Sequence, residues 1–154
     1  MPLETRAIDF VGYDSRGQVV LLAEAKSRSG TSDKWASQLR RNILAHGALP
    51  QAPFFLIATP DRIYLWKEQG LSAAEAPPDL ILNAGDALAP YLERLRPSVS
   101  QLSPEAFEFV VLSWLSDLAR SPSTEAPQNS TLRWLSESGF LDSIRNAQIE
   151  HQAA

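Results

Sequence analysis

The chain opens on two hydrophobic segments joined by residues that favour a turn. Residues 5–13 and 18–26 each have the length and apolar content of a β-strand. Residues 14–17 between them are Asp-Ser-Arg-Gly, in which Asp and Ser can bond to their own backbone and Gly accepts a positive φ. An unbroken apolar run at 19–23 is typical of a central strand that is buried on both faces. The pattern predicts a β-hairpin whose second strand lies inside a sheet.

A helix and two further strands are predicted next. Apolar residues recur at helical spacing over 33–46, and Thr31 or Ser32 can cap the first turn. We therefore expect an amphipathic helix at 33–46 that is ended by Gly47. The two strands are predicted over residues 54–59 and 63–66.

The second half of the chain is predicted to be mainly helical. Ser103 and Pro104 combine a capping hydroxyl with a proline at the first helical position, and an apolar stripe follows. Residues 87–95 are predicted to form a short helix, in which Pro90 is tolerated only in the first turn. Residues 80–82 can add a short strand. Two last helices are predicted over 130–138 and 140–150, separated by Gly139.

Composition narrows the class of protein. The chain has 154 residues, of which 44% are hydrophobic and 21% charged, as in an ordinary globular domain. No apolar run approaches the roughly 18 residues of a membrane-spanning helix, and no basic-then-apolar leader opens the chain. The absence of cysteine excludes disulfide scaffolds, thiolate zinc sites and cysteine nucleophiles. We expect a cytoplasmic protein with no membrane partner.

Charge is distributed unevenly along the chain. The overall formal charge is −4, but residues 1–67 carry +3 and residues 68–154 carry −7. Five cations fall within sixteen positions of the first half: Lys26, Arg28, Lys34, Arg40 and Arg41. This cluster is compatible with a solvated helix face or with contacts to phosphate groups.

Three charged residues stand where the two predicted strands meet. Glu24 and Lys26 end the apolar strand and, being two residues apart, point to the same face. A four-residue turn pairs Asp9 with Leu22, which places Asp9 diagonal to Glu24 at roughly 7–8 Å. Two carboxylates at that distance can share one divalent ion, although a bulge in the turn would change the register.

The chemistry of this group favours magnesium and a phosphate substrate. Mg²⁺ takes one or two carboxylates together with waters and phosphate oxygens. Asp9 and Glu24 would supply the carboxylates and the Ala25 carbonyl a third oxygen. Lys26 can hold the attacking hydroxide or donate to the phosphoryl group.

The order of these residues resembles a known family. The chain contains, in this order, Ile8-Asp9-Phe10, a hairpin, Leu22-Ala23-Glu24-Ala25-Lys26, a helix and the strand at 54–59. That order resembles the PD-(D/E)xK nuclease superfamily. The resemblance implies a restriction-endonuclease-like α/β fold with a central mixed sheet flanked by helices. The helices predicted in the second half would add a C-terminal helical extension. It also implies hydrolysis of DNA phosphodiesters with Mg²⁺ or Mn²⁺. It covers about residues 4–67, so we expect a nuclease-like core at 1–67 and an acidic, mainly helical part at 68–154 packed on the same domain.

The resemblance also implies roles for individual residues. Asp9, Glu24 and Lys26 would be catalytic, and Gln38 stands where many members place a helix glutamine. Beside the resemblance, the cluster of cations makes Arg28, Lys34, Arg40 and Arg41 the candidates for contact with the phosphates of DNA. The family opens with a helix and a strand before this hairpin, and some members carry a carboxylate there, for which Glu4 is the candidate here. Either the C-terminal helices fill that place or the natural chain begins earlier.

Two main interpretations of function therefore stand, beside a metal-independent phosphate- or nucleotide-binding protein, which the sequence supports least. The first is a Mg²⁺-dependent DNA endonuclease, in which a homodimer would let two sites meet two strands. The second is a catalytically inactive module of the same fold that binds DNA, or a partner protein through the acidic helices. The charge of −7 on residues 68–154 motivates the second interpretation, because that half would be repelled by DNA.

Overall fold

The protein is an α/β fold with a six-stranded mixed sheet flanked by helices, as seen in a computed structural model. The structure describes residues 8–46, 49–67, 76–95, 103–120 and 130–152. The strands are β1 (Phe10–Tyr13), β2 (Val19–Ala25), β3 (Phe54–Ala58), β4 (Arg62–Lys67), β5 (Leu80–Asn83) and β6 (Gln148–His151). The helices are α1 (Asp33–His46), α2 (Ala84–Leu95), α3 (Pro104–Arg120), α4 (Ser130–Glu137) and α5 (Phe140–Ile144).

The strand order across the sheet is β5-β4-β3-β2-β1-β6. β2 and β3 are parallel, and α1 is the crossover between them, as parallel neighbours require. The other neighbours are antiparallel, including β1 with β6. β6, the last strand of the described chain, therefore forms one edge of the sheet and lies next to β1, the first strand.

The two faces of the sheet are covered by different helices. α1 packs over one face, where Leu22, Phe55, Tyr64 and Trp66 are buried. α2 to α5 cover the opposite face, and together with the alternate strand residues they form the larger apolar cluster. The central strand β3 is buried along its whole length, as its uninterrupted apolar sequence predicts.

None of the helices in the described ranges is long and apolar enough to cross a membrane.

Two expectations about the second half are wrong. α2 begins at Ala84 rather than at residue 87, so Pro90 lies inside the helix instead of in its first turn. The predicted helix over 140–150 ends at Ile144, because Arg145 adopts an extended ψ of 127° and Asn146 a positive φ of 62°. The chain then enters β6. Gly47, which was expected to end α1, lies outside the described residues.

Candidate active site

The hairpin register places Asp9 beside Glu24. In the turn, the Asp14 carboxylate accepts the N–H groups of Arg16 and Gln18 at 2.9 Å, and Gly17 has a φ of 80°. The pairing shifts between Gly12 and Tyr13 and continues as Val11 with Leu22 and Phe10 with Ala23.

The expected pairing of Asp9 with Leu22 is therefore wrong by two residues. A shift of two preserves the face of every side chain. It also moves Asp9 from a diagonal position to one next to Glu24, so the two acidic residues lie closer than the sequence predicted.

Asp9 and Glu24 are joined through the backbone of the two strands. The N–H of Asp9 donates to Glu24 Oε1 at 2.9 Å, and the N–H of Ala25 donates to Asp9 Oδ2 at 2.8 Å. Asp9 is 2% exposed and Glu24 is 7% exposed. Asp9 lies at a bend immediately before β1, where its carboxylate replaces a backbone carbonyl as the acceptor for β2. Two buried carboxyl groups thus meet at the end of the hairpin.

Lys26 is the cation of this cluster and lies at its solvent side. Its Nζ is 3.1 Å from Glu24 Oε2, and its side chain is 43% exposed against 10% for that of Glu24. Its backbone N–H donates to the carbonyl of Ala58 at 2.9 Å, so the first residue after β2 stays fixed to β3. Lys26 can therefore contact a molecule that approaches from solvent while its backbone remains in place.

The electrostatics of the pair favour a cation. Burial raises the pKa of the Glu24 carboxyl from 4.5 to about 7, and the negative charge of Asp9 acts in the same direction, while Lys26 lowers the pKa. Two carboxylates held together out of water repel each other, and a proton or a metal ion at Glu24 relieves that repulsion.

The donor set fits a hard divalent cation that keeps waters and substrate oxygens. Ala25 faces β1 with its N–H, and its carbonyl lies on the same edge because both groups of one strand residue point the same way. No cluster of three or more His, Cys, Asp or Glu side chains placed to hold a metal occurs within the described ranges. Asp9, Glu24 and the Ala25 carbonyl are the oxygens of this cluster that could hold such an ion, since Mg²⁺ needs only one or two carboxylates.

The segment that leads from the cluster to α1 is held firmly. The N–H of Gly30, which has a φ of 73°, donates to Asp61 Oδ2 at 2.6 Å. Thr31 Oγ1 and Tyr64 Oη are hydrogen-bonded at 2.8 Å in a buried position. Of the two capping residues considered, Ser32 is the cap, since its Oγ accepts the N–H of Trp35 at 3.1 Å. The loop after Lys26 is thereby tied to β4 and to the turn before it.

Arg40 does not lie on the exposed track that its sequence position suggests. It is 3% exposed, and its guanidinium carbon lies 6.0 Å from the ring centroid of Phe55 and 5.6 Å from that of Trp66. The side chain packs between α1 and the sheet, where the aromatic faces stabilise the cation. Its burial removes Arg40 from the expected phosphate contacts.

The remaining predicted cations and Gln38 have different exposures. Arg28 and Lys34 are exposed, and the Arg28 guanidinium carbon lies 5.7 Å from the ring centroid of Trp35. Arg41 is half-buried, with one guanidinium nitrogen 3.5 Å from Asn42 Oδ1. Gln38 is half-buried on α1, and its role remains a prediction. The other candidate carboxylate, Glu4, lies outside the described residues.

The contrast between the two stacked arginines predicts different effects of mutation. Arg40→Ala should lower the free energy of unfolding by about 2 kcal/mol or more, because it removes a desolvated cation–π contact and its packing. Arg28→Ala should change that free energy by less than about 0.5 kcal/mol. Urea titration followed by tryptophan fluorescence measures both. Equal destabilisation by the two substitutions would contradict the structural assignment of Arg40.

One residue near the cluster was missed by the sequence analysis. The N–H of Gln152 donates to the carbonyl of Asp9 at 2.7 Å, next to the pairing of His151 with Phe10. Ile149 is the one apolar residue of 148–151, so this short segment shows no strand alternation, and it follows a helical stripe. The chain end was therefore expected to be helical.

No family model, no curated protein and no solved structure matches the chain. The fold and the cluster define the class directly: an α/β protein in which Asp9, Glu24 and Lys26 meet at the end of a hairpin.

Proposed function

We propose that the protein is a Mg²⁺-dependent endonuclease that hydrolyses DNA phosphodiesters. The observation that carries the proposal is the pair of buried carboxylates from neighbouring strands, with a half-exposed lysine bonded to one of them. Buried ionisable groups are costly unless they are partnered or have a function. A site for a divalent cation and a phosphate accounts for all three residues.

Each residue has a role that follows from its position. Asp9 and Glu24 would hold the ion with the Ala25 carbonyl, and the bound metal would supply charge neutralisation and a more acidic water. Lys26 would turn its Nζ from Glu24 to the attacking water or to a phosphoryl oxygen, because a cation there stabilises the growing negative charge. Arg28 and Lys34, both exposed, would contact phosphates on either side.

The arrangement of strands supports the finer, restriction-endonuclease-like assignment. β2, α1 and β3 form the parallel unit that the resemblance implies after the acidic hairpin. That resemblance also implies a strand before the hairpin, and here β6 lies antiparallel to β1 at the edge of the sheet. The last strand would thus take the place of a strand that other members carry ahead of the hairpin.

Plasmid cleavage tests the proposal. The wild-type protein should nick or linearise supercoiled DNA in the presence of Mg²⁺ or Mn²⁺ and not with EDTA. Lys26→Ala should slow cleavage about a hundredfold, since a positioned charge or proton donor contributes that order of magnitude. Lys67→Ala removes an exposed lysine from the end of β4 and serves as the matched control. Cleavage at the same rate by both variants, or none by the wild type, would refute the catalytic role.

A catalytically inactive module of the same fold is the second candidate. The observation that favours it is the bonding of Asp9 Oδ2 and Glu24 Oε1 to backbone N–H groups, which by itself ties β1 to β2. In such a module the carboxylates only hold the strand ends, and DNA or a partner protein binds elsewhere, the latter on the acidic helices. The two candidates differ in metal binding, because a purely structural pair has no need of an ion.

A further inference from the structure

Asp9 lies where a strand begins, so its position depends on what holds its backbone. Its N–H is held by Glu24 Oε1 at 2.9 Å. Its carbonyl accepts the N–H of Gln152 at 2.7 Å, beyond the last residue of β6. β6 therefore fixes the side of Asp9 that faces away from β2.

The end of β6 is itself anchored to the helical layer. His151 pairs with Phe10, and their ring centroids lie 5.2 Å apart. On the same face, His151 Nε2 is 2.9 Å from Glu108 Oε1 of α3. The strand end next to Asp9 is thus held by α3 and by the ring of Phe10, and it provides a fixed point for the Gln152 N–H.

We propose that Gln152 is a positioning residue of the site, acting through its backbone N–H on Asp9. The purpose of this hydrogen bond rests on the proposed function, whereas the amide-exchange test of it does not. With this hydrogen bond in place, the Asp9 carboxylate stays at the N–H of Ala25 and beside Glu24. Without it, Asp9 spends part of the time elsewhere, and apparent metal affinity falls with the fraction of molecules that keep the competent arrangement.

Replacing Gln152 with proline removes the N–H and tests the proposal directly. Loss of one hydrogen bond corresponds to about a three- to tenfold change in an equilibrium. Gln152→Pro should therefore speed hydrogen exchange of the Ala25 amide, whose acceptor is Asp9 Oδ2, by about three- to tenfold. The apparent Kd for Mn²⁺, measured by calorimetry, should rise by a similar factor. A chain ending at His151 should show the same two changes.

Gln148→Pro is the matched control. Gln148 pairs with Tyr13 at the other end of β6, so the substitution disturbs the same strand far from Asp9. It should leave the Ala25 exchange rate and the Mn²⁺ affinity within about twofold of wild type, although it should lower the Tm because a proline in β6 removes a strand N–H. Gln152→Ala keeps the backbone N–H, so its Ala25 exchange rate and its Mn²⁺ affinity should match those of the wild type.

The outcomes separate the two proposals. The role of the Gln152 N–H is overturned if the Ala25 amide exchanges at the same rate in the two proline variants. It is also overturned if Gln152→Ala loses as much Mn²⁺ affinity as Gln152→Pro does. Absence of DNA cleavage by the wild type overturns the proposed function alone, since amide exchange still reports how Asp9 is held.

Discussion

Asp9→Asn should abolish Mn²⁺ binding and metal-dependent DNA cleavage while leaving the sheet intact. The amide keeps an oxygen that can accept the Ala25 N–H, so the link between β1 and β2 survives. One of the two carboxylate charges that would attract the proposed ion is lost. Because a metal contributes several kcal/mol of transition-state stabilisation, the cleavage rate should fall about a thousandfold or more. Calorimetry with Mn²⁺ and plasmid cleavage give the two measurements.

Asp14→Asn provides a control in the same hairpin. The Asp14 carboxylate also accepts backbone N–H groups, from Arg16 and Gln18, but it lies in the exposed turn. This variant should bind Mn²⁺ and cleave DNA as the wild type does. Retained Mn²⁺ affinity in Asp9→Asn would mean that the two carboxylates only hold strand ends together, in favour of the inactive module.

Glu24→Gln should stabilise the metal-free protein at pH 8 by about 2–4 kcal/mol relative to wild type. The cause is the buried Glu24 carboxyl, whose pKa is raised from 4.5 to about 7 mainly by desolvation and next by Asp9. The folded protein therefore binds a proton more tightly than the unfolded chain. The stabilisation that proton binding at Glu24 contributes to the folded state is fully present below pH 4.5 and is lost as the pH rises through about 7. The neutral amide of the Glu24→Gln variant carries no charge to desolvate at any pH.

Urea denaturation between pH 4.5 and 8, in the presence of EDTA, measures this difference. The free energy of unfolding of the wild type should fall relative to that of Glu24→Gln as the pH rises. Glu150→Gln, which removes an exposed carboxylate from β6, should follow the wild-type curve. Parallel curves for wild type and Glu24→Gln would show that the raised pKa of Glu24 does not contribute to stability.

Local patterns predicted much of the sheet and its crossover helix. The apolar runs of β2 and β3 and the helical spacing of α1 each reflect burial that repeats along one element, so periodicity reveals them. The turn residues Asp14 and Gly17 behave as their chemistry requires. Elements of this kind depend on neighbouring residues and can be recognised without knowing what they pack against.

The last strand could not be predicted in the same way. β6 is four residues long, and its formation depends on pairing with β1 at the other end of the chain. Nothing local distinguishes Gln148–His151 from the end of a helix except the break at Asn146, which has a positive φ. A partner that is distant in sequence decides the structure of such a segment.

The site shows the same division between local and distant causes. The proximity of Asp9 and Glu24 follows from the hairpin, and the predicted face was preserved because the turn and the bulge near Gly12 each moved the register by one residue, two in total. The burial of Arg40 follows instead from Phe55 and Trp66, which come from strands later in the sequence. The spacing of cations on a helix does not reveal which of them meets aromatic rings.

The pairing of β1 with β6 also bears on the order of folding. The hairpin β1–β2 and the unit β2–α1–β3 close short loops, whereas β6 must cross most of the chain to reach β1. Long-range pairing carries the larger loop-closure entropy and so forms late. In a refolding molecule, Asp9 and Glu24 would therefore come together early, and the hydrogen bond from the Gln152 N–H to the Asp9 carbonyl would form last. Pulse-labelling of amide protons would show protection at Ala25 in two stages, the second coinciding with that of Gln152.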